Sequence, residues 1–340
     1  MERLRRWLTI GLAISIISAL LILIFTVDSE TANSLRQIQP IYLFIAIGVH
    51  VLSWFVWGLR MKLLTESLGG KISLWRSTEI VISNLLAAAV TPSHAGGEPV
   101  RIHLLSRNGI TIGDATAVVF GERLLDALLL GLAAPIALFM FKDVMRHNLP
   151  LSITFALAGV LFCAVFGFTA YAMYCPDNVK SWASRIKAII PKFTSKSVDH
   201  IIERIYDEID HFHDSLWTFI QEGRVALSLA MVCTVAFWLL EFMIPSLILL
   251  GLGANPIWMF SIMAQFVLMI IIMLPLTPGS SGLVELGIVS LYTMFVKLSI
   301  LGIFVIAWRA MTYYLNIVVG GIISLKILRD TRLIESSLES

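Results

Sequence analysis

The sequence predicts an all-α protein, a polytopic integral membrane helical bundle of about six spanning helices with two re-entrant helical hairpins. Of the 340 residues, 58% are hydrophobic and only 14% are charged, and the mean hydropathy is +0.86. Soluble domains carry about 25% charged residues. Surface-to-volume scaling leaves a water-soluble domain too little interior for so much apolar surface. A single transmembrane domain in the cell membrane is therefore expected over residues 1–340.

Six apolar segments reach the roughly 20 residues that a spanning helix needs. They cover about residues 7–27, 40–59, 115–141, 151–175, 225–250 and 299–325. Arg3, Arg5 and Arg6 precede the first segment, as basic residues precede the apolar core of a signal peptide. That segment is too long for a signal peptide and no small-x-small cleavage site follows it, so an uncleaved first span is expected.

Two further apolar stretches are interrupted by proline and glycine, which break helices. The interruptions separate residues 77–91 from 98–107, and residues 257–276 from 283–296. Each stretch predicts a re-entrant hairpin, with one half-helix in, a tip and one half-helix out, at about 73–108 and 257–296. Such tips must be buried in protein or must line a wet cavity, because lipid cannot hydrogen-bond their backbone groups.

The two tips resemble each other. Thr91 to Glu98 reads TPSHAGGE, and Thr277 to Glu285 reads TPGSSGLVE. Each has Thr-Pro, then small residues, then a carboxylate that opens the next helix. Interrupted hydrophobic segments at corresponding places in two halves point to a transporter site. The likeness indicates either an inverted internal repeat or two unrelated helix breaks.

The distribution of lysine and arginine predicts the orientation of the chain. With the N-terminus inside, about 19 of the 25 basic residues, Arg60 and Arg101 among them, fall on the cytoplasmic side and about four fall outside. This bias requires the first hairpin to return to the cytoplasm and the second to return to the outside. Both termini are then cytoplasmic.

Residues 176–224 are charged and predict a cytoplasmic amphipathic helical insertion. The apolar residues at helical spacing are Ile201, Ile205, Ile209, Phe212, Leu216 and Phe219, with acidic residues and histidine on the opposite face.

Charged residues inside the spans are the first functional candidates, since each costs about 2.5–3.5 kcal/mol at mid-bilayer. In the third predicted span, Glu122 and Asp126 are four apart and share a helix face, while Arg123 can pair with another element. The alternative is an ion-pair cluster that only fixes helix packing. Glu241 and Arg309 lie in the fifth and last spans, where they can be each other's structural partners.

The hairpin tips supply the remaining candidates. A broken helix exposes N–H groups that bind anions such as phosphate. Glu98 and Glu285 open the second half-helices, either as functional carboxylates or simply as caps. The predicted substrate-binding residues are His94, Gly96, Gly97, Glu98, Arg101, Glu122, Arg123, Asp126, Thr277, Pro278, Gly279, Ser280, Ser281, Gly282, Glu285 and Arg309.

Several enzyme classes are not supported by the sequence. H-E-x-x-H, a Walker A loop and G-x-G-x-x-G are all missing. The run from Gly279 to Gly282 resembles a rhomboid protease loop, but that chemistry needs a histidine on a later span and the last histidine is His213. No catalytic residue, cofactor or metal site is predicted. Nucleic acid is not an expected partner, because no basic run has interleaved aromatics.

These motifs together resemble a known family. Thr91 to Arg101, then Glu122-Arg123 and Asp126, then Pro275 to Gly282 with Glu285, are similar to the lysylphosphatidylglycerol synthase transmembrane-region family. This is the flippase-like domain of the multiple-peptide-resistance factors. The chain ends at Ser340, without room for the soluble aminoacyl-transfer domain of the full-length synthases, and its second tip is less glycine-rich than expected.

The resemblance implies a flippase or transporter that moves a phosphate-headgroup lipid between leaflets. The lipid would be a phospholipid, an aminoacylated phospholipid or a polyprenyl-phosphate-linked lipid. Two alternatives remain: a membrane-embedded transferase acting on a lipid, or a non-catalytic subunit of a lipid-modifying complex. Expected partners are membrane lipids, with a lipid-modifying enzyme or a second copy of the chain as further options.

Overall fold

The computed structural model describes residues 2–26, 31, 35–91, 96–140, 160, 164, 167, 171, 214, 217–219, 221, 223–272, 280–293 and 295–338. Within these ranges the chain consists of helices, turns and short connections, which confirms the predicted all-α class.

The helices, in chain order, are α1 (Glu2–Thr26), α2 (Pro40–Ser67), α3 (Leu74–Ala89), α4 (Gly97–Ser106), α5 (Ile112–Met140), α6 (Arg224–Gly251), α7 (Trp258–Ile272), α8 (Leu283–Tyr292), α9 (Leu298–Arg309) and α10 (Leu315–Leu338). A π-helical segment, Ala310–Tyr314, joins α9 to α10. Five predicted spans coincide with α1, α2, α5, α6 and the α9–α10 unit. The span predicted at 151–175 and the insertion predicted at 176–224 lie almost entirely outside the described residues.

Three of the described helices are long and apolar enough to cross a membrane. They are Pro40–Ser67, Arg224–Gly251 and the continuous run Leu298–Ile327. At about 1.5 Å per residue, a 28-residue helix extends about 42 Å and exceeds the roughly 30 Å hydrocarbon core of a bilayer.

The long helices α2 and α6 pack side by side and form the centre of the bundle. Pro40 is the first residue of α2, where its missing N–H leaves no intrahelical bond unmade. The N–H of Gln39 donates to the Gly251 carbonyl at 2.8 Å and so satisfies a carbonyl at the end of α6. A Cβ at Gly251 would lie 2.6 Å from the Leu43 side chain, so glycine permits this close approach.

Helices α3 and α4 form an antiparallel pair, called here the first hairpin. At its open end, Arg76 Nε donates to Asn108 Oδ1 at 3.2 Å. Near its tip, a Cβ at Gly97 would lie 2.1 Å from Asn84 Oδ1, so the start of α4 rests directly on α3. Ser73 caps α3 by accepting a hydrogen bond from the Arg76 N–H at 3.2 Å.

Helices α7 and α8 form the second hairpin. Its open end is closed by a 2.7 Å hydrogen bond between the hydroxyls of Ser261 and Tyr292, and by stacked Phe260 and Phe295 rings 4.6 Å apart. Both interruptions therefore separate two packed half-helices. Their return to one face of a membrane stays a prediction.

Large apolar side chains are exposed on the described surface, while several charged side chains are buried within the mainly apolar interior. Side chains such as Phe25, Phe44 and Val232 are 64–79% exposed on the outer faces of α1, α2 and α6. Arg60, Arg101 and Glu122 are fully buried. This arrangement suits a protein whose outer surface meets lipid.

The close contact between α2 and α3 gives a first prediction. A Cβ at Gly58 would lie 2.4 Å from Thr78 Oγ1 and 3.0 Å from the Thr78 backbone, whereas Gly48 on the same helix has open space. We expect Gly58→Ala to destabilise the protein by about 1–3 kcal/mol through overpacking. Gly48→Ala should be neutral or stabilising by about 0.5–1 kcal/mol. Thermal unfolding in detergent measures both, and equal midpoints would contradict this packing.

Candidate functional site

A fully buried arginine on α2 joins the two carboxylates that α5 presents on one face. Arg60 Nε donates to Glu122 Oε1 at 3.0 Å and Arg60 Nη1 donates to Asp126 Oδ1 at 2.6 Å. Trp238 Nε1 on α6 also donates to Asp126 Oδ1, at 2.9 Å. The spacing of four residues turns both α5 carboxylates toward α2, as a helical period requires.

Two more arginines complete this group, called here the Arg60 cluster. Arg101 of α4 binds the second oxygen of Glu122 through its Nη1. Arg123 of α5 donates to Glu98 Oε1 from Nε at 3.0 Å and from Nη2 at 2.5 Å. Its six charged members are Arg60, Arg101, Arg123, Glu98, Glu122 and Asp126, three of each sign. Mutual neutralisation is the condition under which such charges persist in an apolar interior.

The Arg60 cluster still holds buried donors with no hydrogen-bond acceptor in the described structure. They are Arg60 Nη2 and the Nε and Nη2 of Arg101. The Trp57 ring lies beside both guanidinium groups, 5.7 Å from Arg60 Cζ and 5.3 Å from Arg101 Cζ. Buried donors without an acceptor are uncommon in folded proteins, so these three N–H groups are candidate contacts for an anion.

A second ion pair lies at the second hairpin. Arg309, at the end of α9, donates to both oxygens of Glu285, at 2.9 and 2.8 Å. Glu285 also accepts from Ser15 Oγ at 3.0 Å and from the Gly282 N–H at 2.7 Å. Glu285 is thus both a cap of α8 and an ion-pair partner. The Arg309 guanidinium also lies 5.0 Å from the Tyr313 ring.

The two hairpins use their tip carboxylates in the same way. Glu98 pairs with an arginine 25 positions later, on the helix that follows the first hairpin. Glu285 pairs with an arginine 24 positions later, on the helix that follows the second hairpin. Matched pairs at matched spacing favour a repeat over two unrelated helix breaks.

A third polar group involves a histidine on α2. His50 Nδ1 lies 2.8 Å from Glu241 Oε1 on α6, and His50 Nε2 lies 3.0 Å from Asn316 Oδ1 on α10. Ser53 also contacts Glu241. The expectation that Glu241 and Arg309 pair with each other is therefore wrong, because helix packing places Glu241 against His50 and Arg309 against Glu285.

The three groups surround one cavity of about 220 Å³ between the hairpins. Its charged lining residues are Arg123, Asp126, Glu241 and Arg309, its amides are Asn84, Gln265 and Asn316, and aromatic rings include Trp57, Trp238, Trp308 and Tyr313. The cavity is smaller than the roughly 300–1,000 Å³ of a drug-sized pocket and suits a small charged group.

A family model described as the lysylphosphatidylglycerol synthase TM region matches residues 8–320, more than nine-tenths of the chain. The chain belongs to this family. Its relatives include a UPF0104 membrane protein of Archaeoglobus fulgidus, 31% identical over 92% of this chain and 94% of the relative. A UPF0104 membrane protein of Methanothermobacter thermautotrophicus is 22% identical over 81% of each chain. With its apolar spanning helices, this member of the family is a multi-pass membrane protein.

A relative with a functional name is the glycosyltransferase AglD of Haloferax volcanii. It is 24% identical over 84% of this chain but over only 49% of its own length. The family member described here therefore corresponds to about half of that protein.

The structure brings together most of the charged residues that the sequence singled out. Glu98, Arg101, Glu122, Arg123 and Asp126 form the Arg60 cluster, and Glu285 pairs with Arg309. Of the small tip residues, Gly96 donates its N–H to Thr91 Oγ1 at 2.8 Å, and Ser280 and Ser281 are fully buried. His94, Thr277, Pro278 and Gly279 lie outside the described residues.

Tyr313 connects the two tips and was not predicted. Its hydroxyl donates to the Ala89 carbonyl at the end of α3, at 3.1 Å, and it also contacts Ser281 at the second tip. It belongs to the π-helical segment, whose extra residue per turn has no marker in the sequence, although such segments are frequent at functional sites.

Arg60 was also missed as a site residue. The sequence places it just beyond the apolar run that ends at residue 59, and it was therefore counted as cytoplasmic together with Arg101. In the structure α2 continues to Ser67, and the side chains of Arg60 and Arg101 are fully buried in the protein. The side of the membrane on which they lie stays a prediction. A signal in the sequence is that Arg60 lies four residues before the apolar Leu64 and so shares its helix face.

The Arg60 cluster gives a second prediction. Arg60→Met would leave the buried Glu122 and Asp126 without their shared partner and should lower the free energy of unfolding by about 3–5 kcal/mol. Lys62→Met, two residues further along α2 in the exposed Lys62–Glu66 pair, should cost less than about 1 kcal/mol. Thermal unfolding in detergent measures the loss of stability in both variants. Similar losses would contradict the role of Arg60 in neutralising the buried carboxylates.

Proposed function

We propose that the protein moves a lipid with a phosphate-bearing headgroup between the two leaflets of the cell membrane. The lipid is a phospholipid, an aminoacylated phospholipid or a polyprenyl-phosphate-linked lipid. The observation that carries the proposal is the charged cavity between the hairpins, with one arginine from each half of the chain in its wall.

The cavity offers two arginine side chains and a volume that a small lipid headgroup can occupy. Arg123 follows the first hairpin and Arg309 follows the second, and both line the cavity. Charged groups inside a membrane-protein bundle are costly and usually mark a substrate or ion path. A volume of about 220 Å³ admits a small headgroup while the acyl chains stay in the surrounding bilayer.

The two tip ion pairs differ in exposure, which fits a two-sided path. The side chains of Glu98 and Arg123 are 27% and 42% exposed. Those of Glu285 and Arg309 are 0% and 4% exposed. A transporter built from two repeats exposes its central site to one side at a time, so one open pair and one closed pair are expected in any single state.

The orientation in this proposal keeps both termini in the cytoplasm. Leaving out Arg60 and Arg101, which are buried, reduces the cytoplasmic count of lysine and arginine from about 19 to about 17, against about four outside. The asymmetry that supports this orientation is therefore retained.

A second candidate function is catalysis on a lipid, or service as the membrane part of a lipid-modifying complex. The relative named as a glycosyltransferase favours it. The paired carboxylates of the Arg60 cluster weigh against it. Each is already neutralised by an arginine and is poorly suited to act as a general base.

The leading proposal predicts loss of transport when the more exposed tip pair is removed. Glu98→Gln with Arg123→Gln keeps the local charge balanced, so the protein should fold. Loss of one charge-assisted contact to phosphate, worth about 1.5–3 kcal/mol, should slow movement of a fluorescent phosphatidylglycerol in vesicles by roughly tenfold to a hundredfold.

The matched control removes an exposed ion pair in the same way, by Lys62→Gln with Glu66→Gln. It should move the lipid at the wild-type rate. If all three proteins moved the lipid at the same rate, the first hairpin would not take part in transport.

The catalytic alternative has its own test. Purified wild-type protein, incubated with radiolabelled phosphatidylglycerol or polyprenyl phosphate and a nucleotide-sugar donor, should leave the lipid chemically unchanged by thin-layer chromatography and mass spectrometry. A new covalent lipid product that the Glu98→Gln, Arg123→Gln variant fails to make would favour the enzyme over the transporter.

A further inference from the structure

Four carboxylates of the candidate site are held by arginines, whereas Glu241, which lines the cavity, is not. Glu122 and Asp126 pair with Arg60, Glu98 with Arg123, and Glu285 with Arg309. An arginine stays protonated, so a carboxylate bound to it holds its charge. Glu241 instead pairs with His50, whose side chain can gain or lose a proton.

The hydrogen bonds of Asn316 determine which nitrogen of His50 carries hydrogen. Asn316 Nδ2 donates to the Thr312 carbonyl at 2.6 Å, which turns Oδ1 toward His50. Asn316 Oδ1 lies 3.0 Å from His50 Nε2 and can only accept. His50 Nε2 must therefore be the donor, in any protonation state of the ring.

The remaining nitrogen then requires one further proton. His50 Nδ1 lies 2.8 Å from Glu241 Oε1, a hydrogen-bond distance. With Nε2 already protonated, either Nδ1 is also protonated and faces a carboxylate, or a protonated Glu241 donates to a neutral ring. Both forms hold one shared proton and are neutral as a pair. Without that proton, a lone pair faces a carboxylate and the pair carries one negative charge.

Among the described charged groups of the cavity wall, the His50–Glu241 pair is the one whose net charge can change. On the helices packed against it, the described charged groups that are buried or line the cavity are already paired: Arg60 with Glu122 and Asp126, Arg101 with Glu122, Glu79 with Arg76 and Lys326, Arg123 with Glu98, and Arg309 with Glu285. His50 is 3% exposed and Glu241 is 17% exposed and lines the cavity, so a proton reaches the pair from the cavity side.

The backbone on both sides of the pair departs from a regular α-helix. Pro245 on α6 has no N–H to donate to the Glu241 carbonyl four residues earlier. Across the cavity, Thr312 lies in the π-helical segment that precedes Asn316. Irregular backbone of both kinds recurs where a helix carries a functional site.

We propose that the His50–Glu241 pair is a proton-binding site whose occupancy favours binding of an anionic phosphate headgroup in the cavity. This inference rests on the proposed function and names its coupling ion. One proton passes from cavity water to the pair and removes one negative charge from the wall. A phosphate near Arg123 and Arg309 is then favoured, and by linkage a bound phosphate favours the proton to the same degree. Release of the proton restores the negative charge and favours release of the lipid.

The proton site is tested first without lipid. Nitrogen NMR of the full-length protein labelled in its histidines, with the His50→Gln variant identifying the signal, follows His50 Nδ1 from about pH 4 to about pH 10, which brackets ordinary Glu and His behaviour. We expect a transition at Nδ1 while Nε2 keeps its hydrogen. Glu241→Gln should abolish or displace that transition, and Glu66→Gln, at an exposed carboxylate, should leave it unchanged.

The coupling is tested with a fluorescent phosphatidylglycerol at one pH below and one pH above that transition. Wild-type protein should bind it about tenfold more tightly at the lower pH, within the range of coupled sites. Glu241→Gln, which cannot ionise, should bind equally at both pH values with the tighter affinity. Glu66→Gln should behave as wild type.

Each outcome separates the two proposals. An unchanging His50 signal, or a transition indifferent to Glu241→Gln, overturns the proton site even if lipid binds. Wild-type lipid affinity that is equal at both pH values overturns the coupling and leaves lipid transport standing. No lipid binding at either pH, with a Glu241-dependent transition, removes the proposed function and supports the proton site alone.

Discussion

Neutralisation of charge in an apolar interior is the constraint on which this bundle depends. The described core holds arginines and carboxylates at depths where a single unpaired charge would cost several kcal/mol. Arg60 satisfies two carboxylates of α5 at once, and each tip carboxylate has an arginine on the helix that follows its hairpin. The helices therefore adopt the positions in which these pairs form. The same pairs tie both hairpins to the helices that line the cavity.

The features that depend on residues close together in the sequence could be predicted. Proline and glycine mark both interruptions, and the half-helices on either side begin and end within a few residues of their predicted bounds. The spacing of Glu122 and Asp126 correctly places them on one face. These signals act over a few residues, within one turn or one helix, so the sequence carries them directly.

Features that depend on which helices meet could not be predicted. Periodicity places Glu241 and Arg309 inside spans but contains nothing about their neighbours, so the actual partners, His50 and Glu285, come only from packing. Arg60 looked like a flanking charge because a basic residue near the end of an apolar run usually is one. The contact between Gly97 and Asn84 likewise required the fold, since neither residue marks the other in sequence.

Helices α2 and α6 are fastened to each other at three levels along their length. The Gln39 N–H binds the Gly251 carbonyl at one end, His50 meets Glu241 at mid-height, and Arg60 Nη1 donates to Thr234 Oγ1 at 3.1 Å toward the other end. A pair of rods pinned at three points resists both sliding and scissoring. The α2–α6 pair is therefore a rigid support, and both hairpins pack against it. If the protein moves lipid as proposed, the hairpins would be the parts that move, and the α2–α6 pair, which carries His50 and Glu241, would be the fixed part.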